Sequence, residues 1–281
     1  MRGLLESFRL ALVRSMTSRT HRAISGLRSD SDNGVYPEYA QRISQDANKF
    51  ADFKRTPIYR QVLEHVSERQ GTEYIRQIQG KWPELLGDIG RFKLNDQVGR
   101  PILYKYEGLG SISPTTLRYL KVAADLRELF GDLTDFDVAE IGCGYGGQFL
   151  VTDMLWQLHS WTLFDLEPVL QLISRYLECH LIDSCYRTTT LNRFDSRSAR
   201  FNLAISNYAF SELPKKLQLK YISKVLGKAE RGYMTMNSGK NGADESRMSI
   251  AEIREHFPDL EILSEVPLTA ADNYILVWGN R

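Results

Sequence analysis

The sequence contains little that would place the protein outside the cell, in a membrane or on a nucleic acid. Its three cysteines are too few for a disulfide framework and suit a reducing compartment. No apolar run approaches the roughly 20 residues that a membrane span requires. The formal net charge of +1 gives no overall attraction to a polyanion. These absences predict a cytoplasmic globular protein that does not bind nucleic acid.

The length and composition allow one sizeable α/β domain. Of the 281 residues, 42% are apolar, which leaves room for a domain of about 150 residues and a helical region. We predict a basic N-terminal helix and linker at residues 1–34 and a helical region at 35–131 that caps the functional site. Within that region, residues 82–100 are expected to be irregular because of Pro83 and several glycines. Residues 132–281 should form the ligand-binding catalytic domain.

The N-terminal segment is the most basic part of the chain. Residues 1–28 hold six arginines and one acid, a formal charge of +5, with apolar residues at helical spacing between them. Such a helix can pack on its own domain or against a second subunit in a homodimer. It can also make a weak peripheral contact with an anionic membrane, or serve as a targeting peptide. The sequence leaves these alternatives open.

A glycine-rich turn follows a short apolar strand at residues 136–141. A helical pattern opens near Gln148, so the stretch predicts the start of a nucleotide-binding βαβ unit. Glycine allows a tight turn and a close approach of the backbone to a ligand. An acidic-x-Gly-x-Gly-x-Gly pattern is filled by Glu140, Gly142, Gly144 and Gly146, and a G-x-G-x-x-G pattern by Gly142, Gly144 and Gly147.

Acidic and polar residues follow the next strands of the predicted domain. Asp165 ends the second strand and is placed to accept hydrogen bonds from ribose hydroxyls. Asp195 lies beyond the third strand, where an acid could meet an adenine amino group. The fourth strand, 201–207, ends at Asn207 and leads into Tyr208 and Glu212. Strands that alternate with helices predict a mostly parallel sheet, closed by a terminal antiparallel hairpin.

A long helix precedes the first strand of this domain. Ser113 is the expected N-cap, Pro114 the first helical residue and Gly131 the stop. The helix leads directly into the strand before the glycine turn, so we expect it to pack beside the pocket. It carries Arg118, which could reach a carboxylate of the ligand or form an ordinary ion pair.

Taken together, these motifs indicate a narrower class of protein than the predicted fold alone does. The chain resembles the bacterial sugar O-methyltransferases over about residues 100–281, in Glu140-Ile-Gly-Cys-Gly-Tyr-Gly-Gly, Phe164-Asp-Leu-Glu-Pro and Ile205-Ser-Asn-Tyr-Ala-Phe-Ser-Glu-Leu. The resemblance implies a Rossmann-like class I methyltransferase sheet, mostly parallel and seven-stranded with the last strand antiparallel, after an N-terminal helical region. It also implies S-adenosyl-L-methionine as the cofactor.

The resemblance assigns cofactor contacts to particular residues. Gly142, Gly144 and Gly146 would pass the methionine half, with Glu140 supporting the turn or meeting the amino group. Asp165 would take the ribose diol, Leu166 the adenine face and Asp195 the adenine edge. Asn207 and Arg118 complete the predicted set.

Catalysis is less well specified than cofactor binding. A sugar hydroxyl has a high pKa, so a base or a metal is expected. Glu212 could be the base, a hydrogen-bond acceptor for the substrate, or a charge at a helix N-terminus. Tyr208 could form a wall of the pocket or pack in the core. The segment after the fourth strand contains no histidine, and we predict no metal site.

The predicted function is methyl transfer from S-adenosylmethionine to a hydroxyl of a sugar or glycosylated small molecule. A methyltransferase for a non-sugar small molecule is the nearest alternative. An NAD-dependent oxidoreductase and a binding subunit without activity are the others. The expected partner is a small-molecule or glycan acceptor.

Overall fold

A computed structural model describes residues 34–237 and 246–279. The predictions for the basic helix and for most of its linker lie outside the described residues. So do residues 238–245, most of the stretch 238–248 that its polar composition predicts to be a loop able to close over an acceptor.

A seven-stranded sheet forms the centre of the protein. Its strands are β3 (Asp137–Ile141), β4 (Ser160–Phe164), β5 (Cys185–Thr189), β6 (Phe201–Asn207), β7 (Ala229–Met236), β8 (Glu261–Ser264) and β9 (Tyr274–Trp278). They lie in the order β5-β4-β3-β6-β7-β9-β8, and only β9 runs antiparallel to its neighbours. The predicted fold class, a mostly parallel sheet with an antiparallel last strand, is confirmed.

Helices cover both faces of this sheet, and a small hairpin precedes it. Strand β1 (Tyr104–Tyr106) pairs with β2 (Gly110–Ile112). The helices are α1 (Val35–Gln45), α2 (Ala47–Ala51), α3 (Pro57–Val62), α4 (Glu68–Lys81), α5 (Glu84–Gly87), α6 (Ile89–Phe92), α7 (Leu94–Gln97), α8 (Pro114–Phe130), α9 (Gly147–Asp153), α10 (Glu167–Leu177), α11 (Ala209–Glu212), α12 (Lys215–Lys224) and α13 (Ile250–His256). In residues 34–237 and 246–279, no helix combines the length and apolar character needed to cross a membrane.

The hydrophobic core is divided by the sheet into two halves. One half joins side chains of α1 to α10 with one face of the central strands. The other joins the opposite face with α12, α13 and the loops around them. Because β3 and β9 are covered on both sides, all five side chains of β9 are apolar or aromatic and buried, and so are Val138, Ala139 and Ile141 of β3. The N-terminal helices therefore share a core with the sheet.

Some helix boundaries differ from the prediction. The stretch predicted to be irregular holds three one-turn helices, α5 to α7. The helix expected at 148–158 ends at Asp153, because the amides of Leu155 and Trp156 both bond to the Thr152 carbonyl and tighten the last turn. Helix α8 agrees with the prediction: the Ser113 hydroxyl accepts from two amides of its first turn, and Gly131 follows its end.

A buried carboxylate joins two helices to the sheet. Asp125 on α8 accepts hydrogen bonds from Lys81 of α4 at 2.7 Å, from Lys121 at 2.5 Å and from the Tyr233 hydroxyl of β7 at 2.7 Å. Lys121 and Asp125 are both nearly inaccessible to solvent. Loss of one partner from such a cluster leaves uncompensated buried charge, which is strongly destabilising.

We therefore expect Asp125→Ala to lower the free energy of unfolding by about 3–5 kcal/mol. Glu128 is the matched control, since it also pairs with Lys81 but is more than half exposed. Glu128→Ala should cost less than about 1 kcal/mol. Urea unfolding curves of the two variants measure both values, and similar losses would show that the cluster contributes no more than a surface ion pair.

Candidate functional site

A cavity of about 370 Å³ opens where β3, β4 and β6 end. The carboxyl ends of parallel strands are where α/β sheets bind ligands. Nine of the eleven predicted site residues line this cavity: Arg118, Glu140, Gly142, Gly144, Asp165, Leu166, Asn207, Tyr208 and Glu212. Gly146 is the N-cap of α9 and lies beneath the turn, against Ile173 and Leu177.

Two glycines of the turn are required by both conformation and space. Gly142 and Gly144 have φ values of 74° and 59°, in the left-handed region. A Cβ on Gly142 would lie 2.0 Å from the Ala209 Cβ, and one on Gly144 would lie 2.4 Å from a methyl group of Leu63. A side chain at either position would displace the walls of the cavity.

Tyr145 anchors this turn in the N-terminal helical region. Its hydroxyl donates to the Glu64 carboxylate at 3.2 Å and accepts from the Asn95 amide at 3.3 Å. The Lys54 ammonium lies 4.0 Å from the centre of the Tyr145 ring and donates to the Asn95 carbonyl. Burial lowers the pKa of Lys54 to about 8, although Glu64 and Asp96 favour its charged form. The turn is thus held from the side opposite the sheet.

Glu140 is buried behind the turn, with 2% of its surface exposed. Its carboxyl group accepts a hydrogen bond from the Trp161 indole at 3.1 Å. Burial raises the pKa of Glu140 to about 8, and the negative charge of Asp165 adds to the effect while the indole opposes it. The protonated form of Glu140 is therefore favoured in the ligand-free protein, and a nearby cation would favour the ionised form instead.

Asp165 sits at the end of β4 and faces the turn. One oxygen accepts from the Cys143 amide and the other from the Leu166 amide, each at 2.8 Å. Desolvation raises the pKa of Asp165 to about 6, while these backbone donors oppose the shift. Each carboxylate oxygen can accept a second hydrogen bond, so the pair is suited to a vicinal diol.

Arg118 brings a positive charge to the same cavity. Its guanidinium is 6% exposed, and Nη2 donates to the Leu63 carbonyl at 3.2 Å. Its Nη1 is buried and has no hydrogen-bond partner among the described residues. Because an unpaired buried donor is costly, this arm is suited to an anionic group of a ligand.

Tyr208 and Glu212 lie on the far wall, after β6. Tyr208 has a φ of 70°, which is unusual for a residue with a bulky side chain and is typical of strained functional sites. The Tyr208 hydroxyl forms hydrogen bonds with Glu265 and Thr269, and burial raises the pKa of Tyr208. Glu212 accepts a hydrogen bond from the Asn237 amide at 2.9 Å. Asn237 thereby orients a carboxylate at the cavity wall.

The structure corrects the assignment of Asp195. This residue is exposed, forms an ion pair with Arg197 and does not line the cavity. The amides of Arg193 and Phe194 both bond to the Thr190 carbonyl, and this turn carries the chain away before Asp195 is reached. The wall at this point is formed by Thr190, Leu191 and Asn192. Asn192 lies closer in sequence to the end of β5 than Asp195 does, and this proximity would have favoured Asn192 as a polar residue of the wall.

Several cavity residues lie outside the predicted set, and three of them come from the N-terminal helical region: Tyr36, Val62 and Leu63. Tyr36 lies on α1 and the other two at the end of α3, far from the glycine motif in sequence. No local pattern marks them, because their position depends on how the helical region packs over the turn.

The ionisable side chains of the cavity are mostly acidic. Among the residues that the structure describes, four carboxyl groups line it, those of Glu140, Asp165, Glu167 and Glu212, and one guanidinium, that of Arg118. Glu167 is paired with Arg193, which does not line the cavity. Such a site favours a ligand that carries positive charge together with one anionic group, and disfavours a polyphosphate.

A seven-stranded sheet of this order, with a glycine turn after its first strand and a carboxylate after its second, defines the fold of the Rossmann-like class I methyltransferases. No family model and no curated protein sequence matches the chain.

Solved structures that resemble the protein include a magnesium protoporphyrin IX methyltransferase from Synechocystis PCC 6803 with bound SAM. It has 14% identity and a TM-score of 0.42, over 78% of this chain and 95% of that chain. The PH0226 protein from Pyrococcus horikoshii OT3 has 12% identity and a TM-score of 0.43, over 57% and 88%. An rRNA methylase from Streptococcus thermophilus has 18% identity and a TM-score of 0.39, over 54% and 90%. The assignment of the fold rests on the strand order itself.

The raised pKa of Glu140 predicts a pH-dependent stability. Its pKa of about 8 in the folded protein exceeds the ordinary value of 4.5, so its contribution is fully present below about pH 4.5 and is lost as the pH rises through 8. In the ligand-free protein, the free energy of unfolding should therefore fall between about pH 6.5 and 8, above the titration of Asp165 and before Glu140 is ionised in both states. Glu140→Gln keeps the shape but cannot ionise, and should show a smaller fall. Unfolding curves across this range measure the difference, and an equal fall in both proteins would contradict the assignment.

Proposed function

We propose that the protein is an S-adenosylmethionine-dependent methyltransferase that transfers a methyl group to a hydroxyl of a sugar or glycosylated small molecule. The observation that carries the proposal is the pattern of charged groups on the described cavity wall: the carboxyl groups of Glu140, Asp165 and Glu212, beside a Glu167 that is paired with Arg193, and one guanidinium with an unpaired arm. S-adenosylmethionine has the complementary groups, namely a ribose diol, a sulfonium, an ammonium and one carboxylate.

The nucleoside half of the cofactor is assigned to the end of β4. Asp165 retains acceptor capacity after its two backbone hydrogen bonds, so it can hold both ribose hydroxyls. Leu166 follows it and supplies an apolar surface for the adenine face. Asn192 replaces Asp195 as the polar residue at the adenine edge.

The amino-acid half is assigned to the glycine turn and α8. The unpaired Nη1 of Arg118 would donate to the cofactor carboxylate, which removes the cost of a buried unsatisfied donor. Glu140 would become ionised near the ammonium group, because a neighbouring cation lowers the pKa of a buried carboxyl.

The same charge pattern disfavours an NAD-dependent oxidoreductase. A dinucleotide would bring a diphosphate to the turn, close to Glu140 and Asp165, where Arg118 is the one cation that the described residues contribute to the wall. Like charges in a desolvated site repel strongly. A cationic cofactor experiences the opposite effect.

The acceptor is assigned to the wall that follows β6. When bound, S-adenosylmethionine supplies a methyl carbon that is already electrophilic, so the protein has to align a hydroxyl and remove its proton. Glu212, oriented by Asn237, would accept that proton. The Tyr208 hydroxyl is already bonded to Glu265 and has a raised pKa, so Tyr208 serves as a wall and not as the base. The carboxylate and amide groups here suit the hydroxyls of a sugar.

The two halves of the cofactor site can be tested separately with S-adenosylhomocysteine and 5′-methylthioadenosine, which lacks the amino-acid group. Asp165→Ala should weaken both ligands about 10- to 100-fold, because charge-assisted hydrogen bonds to the ribose are lost. Arg118→Gln should weaken S-adenosylhomocysteine by a similar factor and leave 5′-methylthioadenosine unchanged. Calorimetry measures all four affinities.

The exposed Asp195 provides the control for this experiment. Asp195→Ala removes the same group from a position outside the cavity and should leave both affinities unchanged. Equal losses for both ligands in Arg118→Gln would place Arg118 outside the carboxylate site. Unchanged affinities in Asp165→Ala would remove the cofactor from this cavity.

Replacement of Glu212 tests the base. With an acceptor found by screening nucleotide sugars and glycan fragments, Glu212→Gln should lower turnover roughly 10²- to 10⁴-fold and leave S-adenosylhomocysteine affinity nearly unchanged. Glu167→Gln is the matched control, because Glu167 also lines the cavity but on the nucleoside side. Rates at saturating ligands measure the effect, and a Glu212 variant that keeps most of its turnover would show that another group takes the proton.

A further inference from the structure

A basic surface borders the acidic cavity. Residues 187–228 contain nine lysines and arginines against two carboxylates, a formal charge of +7 in a chain whose net charge is only +1. This stretch includes the cavity residues 190–192 and 207–213 and the whole of α12. The concentration of positive charge therefore lies in the part of the chain that forms one side of the site.

Helix α12 carries the core of this surface. Lys216, Lys220 and Lys224 are four residues apart, so they form one strip about 12 Å long on the helix. The neighbouring stripe, Leu217 and Tyr221, lines the cavity. The basic strip, defined by these three lysines, thus runs directly beside the cavity wall.

Contacts at the end of α12 hold the strip in this place. The Lys224 ammonium donates to the Leu191 carbonyl at 3.3 Å, and Leu191 itself lines the cavity. Lys216 and Lys220 are exposed and have no acidic partner among the described residues. Three other cations of the region form ion pairs: Arg193 with Glu167, Arg197 with Asp195 and Lys215 with Glu252. The strip therefore retains its charge for a ligand.

The charge of the strip is opposite to what the proposed cofactor needs. A cofactor with a sulfonium and an ammonium is attracted by the carboxylates inside the cavity and repelled by lysines outside it. The molecule that meets the strip must be a different one, and it must be anionic. In a methyltransferase, the second molecule that reaches this cavity is the acceptor.

We infer that the basic strip docks phosphate groups of the acceptor, so that the methylated sugar belongs to a phosphate-bearing glycan. This inference rests on the proposed function and specifies its substrate class. Three ammonium groups spread over about 12 Å, none of them in an ion pair with a described carboxylate, match a short run of phosphates. A nucleic acid is less favoured, because the chain outside residues 1–28 and 187–228 carries a formal charge of −11.

The experiment uses fluorescein-labelled inorganic polyphosphate as the probe and the full chain as the protein, so that the basic residues 1–28 are the same in every variant. Lys216→Glu with Lys220→Glu should weaken polyphosphate binding about 10- to 100-fold, and should reduce the slope of log affinity against log salt by about 2. Fluorescence anisotropy at several salt concentrations measures both quantities. S-adenosylhomocysteine affinity, measured by calorimetry, should stay unchanged.

The matched control reverses two exposed cations that do not line the cavity. Arg69→Glu with Lys105→Glu changes the net charge by the same amount and should leave polyphosphate affinity within about 2-fold at fixed salt. Equal weakening in both double variants would show a general charge effect and overturn the strip. The inference is also overturned if polyphosphate does not bind the wild-type protein.

Two further measurements separate this inference from the proposed function. If polyphosphate binds through the strip but S-adenosylhomocysteine does not bind, the methyltransferase proposal fails and the strip is not an acceptor site. If S-adenosylhomocysteine binds and the strip variants behave as the control, the phosphate-docking role of the strip is rejected and the methyltransferase proposal is unaffected. An oligothymidylate that binds more tightly than polyphosphate, and is released by the same variant, would replace the phosphate-bearing glycan with a nucleic acid.

Discussion

The position of the functional site depends on the contacts that the N-terminal helical region makes with Tyr145. Tyr145 belongs to the glycine turn, yet its ring and hydroxyl are held by Lys54, Glu64 and Asn95 from the N-terminal helices. This contact fixes the distance between the turn and the helices above it. It therefore also sets the position of Leu63, whose methyl group occupies the space that a side chain on Gly144 would need.

Burial and charge act together in the cavity. Glu140 and Asp165 are desolvated carboxyl groups whose pKa values rise to about 8 and about 6. In the ligand-free protein, protonation of these groups therefore removes part of the negative charge of the cavity. A cationic ligand would lower both values and restore that charge. Lys216 and Lys220 of α12 are exposed to solvent beside the cavity wall. The acidic interior and the basic border can thus attract two different molecules to one site.

Much of the site could be predicted because its motifs are local. The strand, glycine turn and helix at 136–153 are contiguous, and Asp165 directly follows the adjacent strand, so the sheet brings them together. Asp195 lies outside the cavity because the chain turns away between Thr190 and Phe194, so Thr190, Leu191 and Asn192 form the wall there. Tyr36 and Leu63 could not be found, because each comes from a segment that reaches the cavity through long-range packing.

The sequence by itself determined the alternation of strands and helices, the glycine turn and the carboxylate after the second strand, since these depend on hydrophobic periodicity and on the conformational freedom of glycine. Only the tertiary structure decided which helices close the cavity, that one arm of Arg118 is left unpaired, and that Glu140 titrates near neutral pH. These properties arise from desolvation and contact between residues distant in the chain, and no local pattern encodes them.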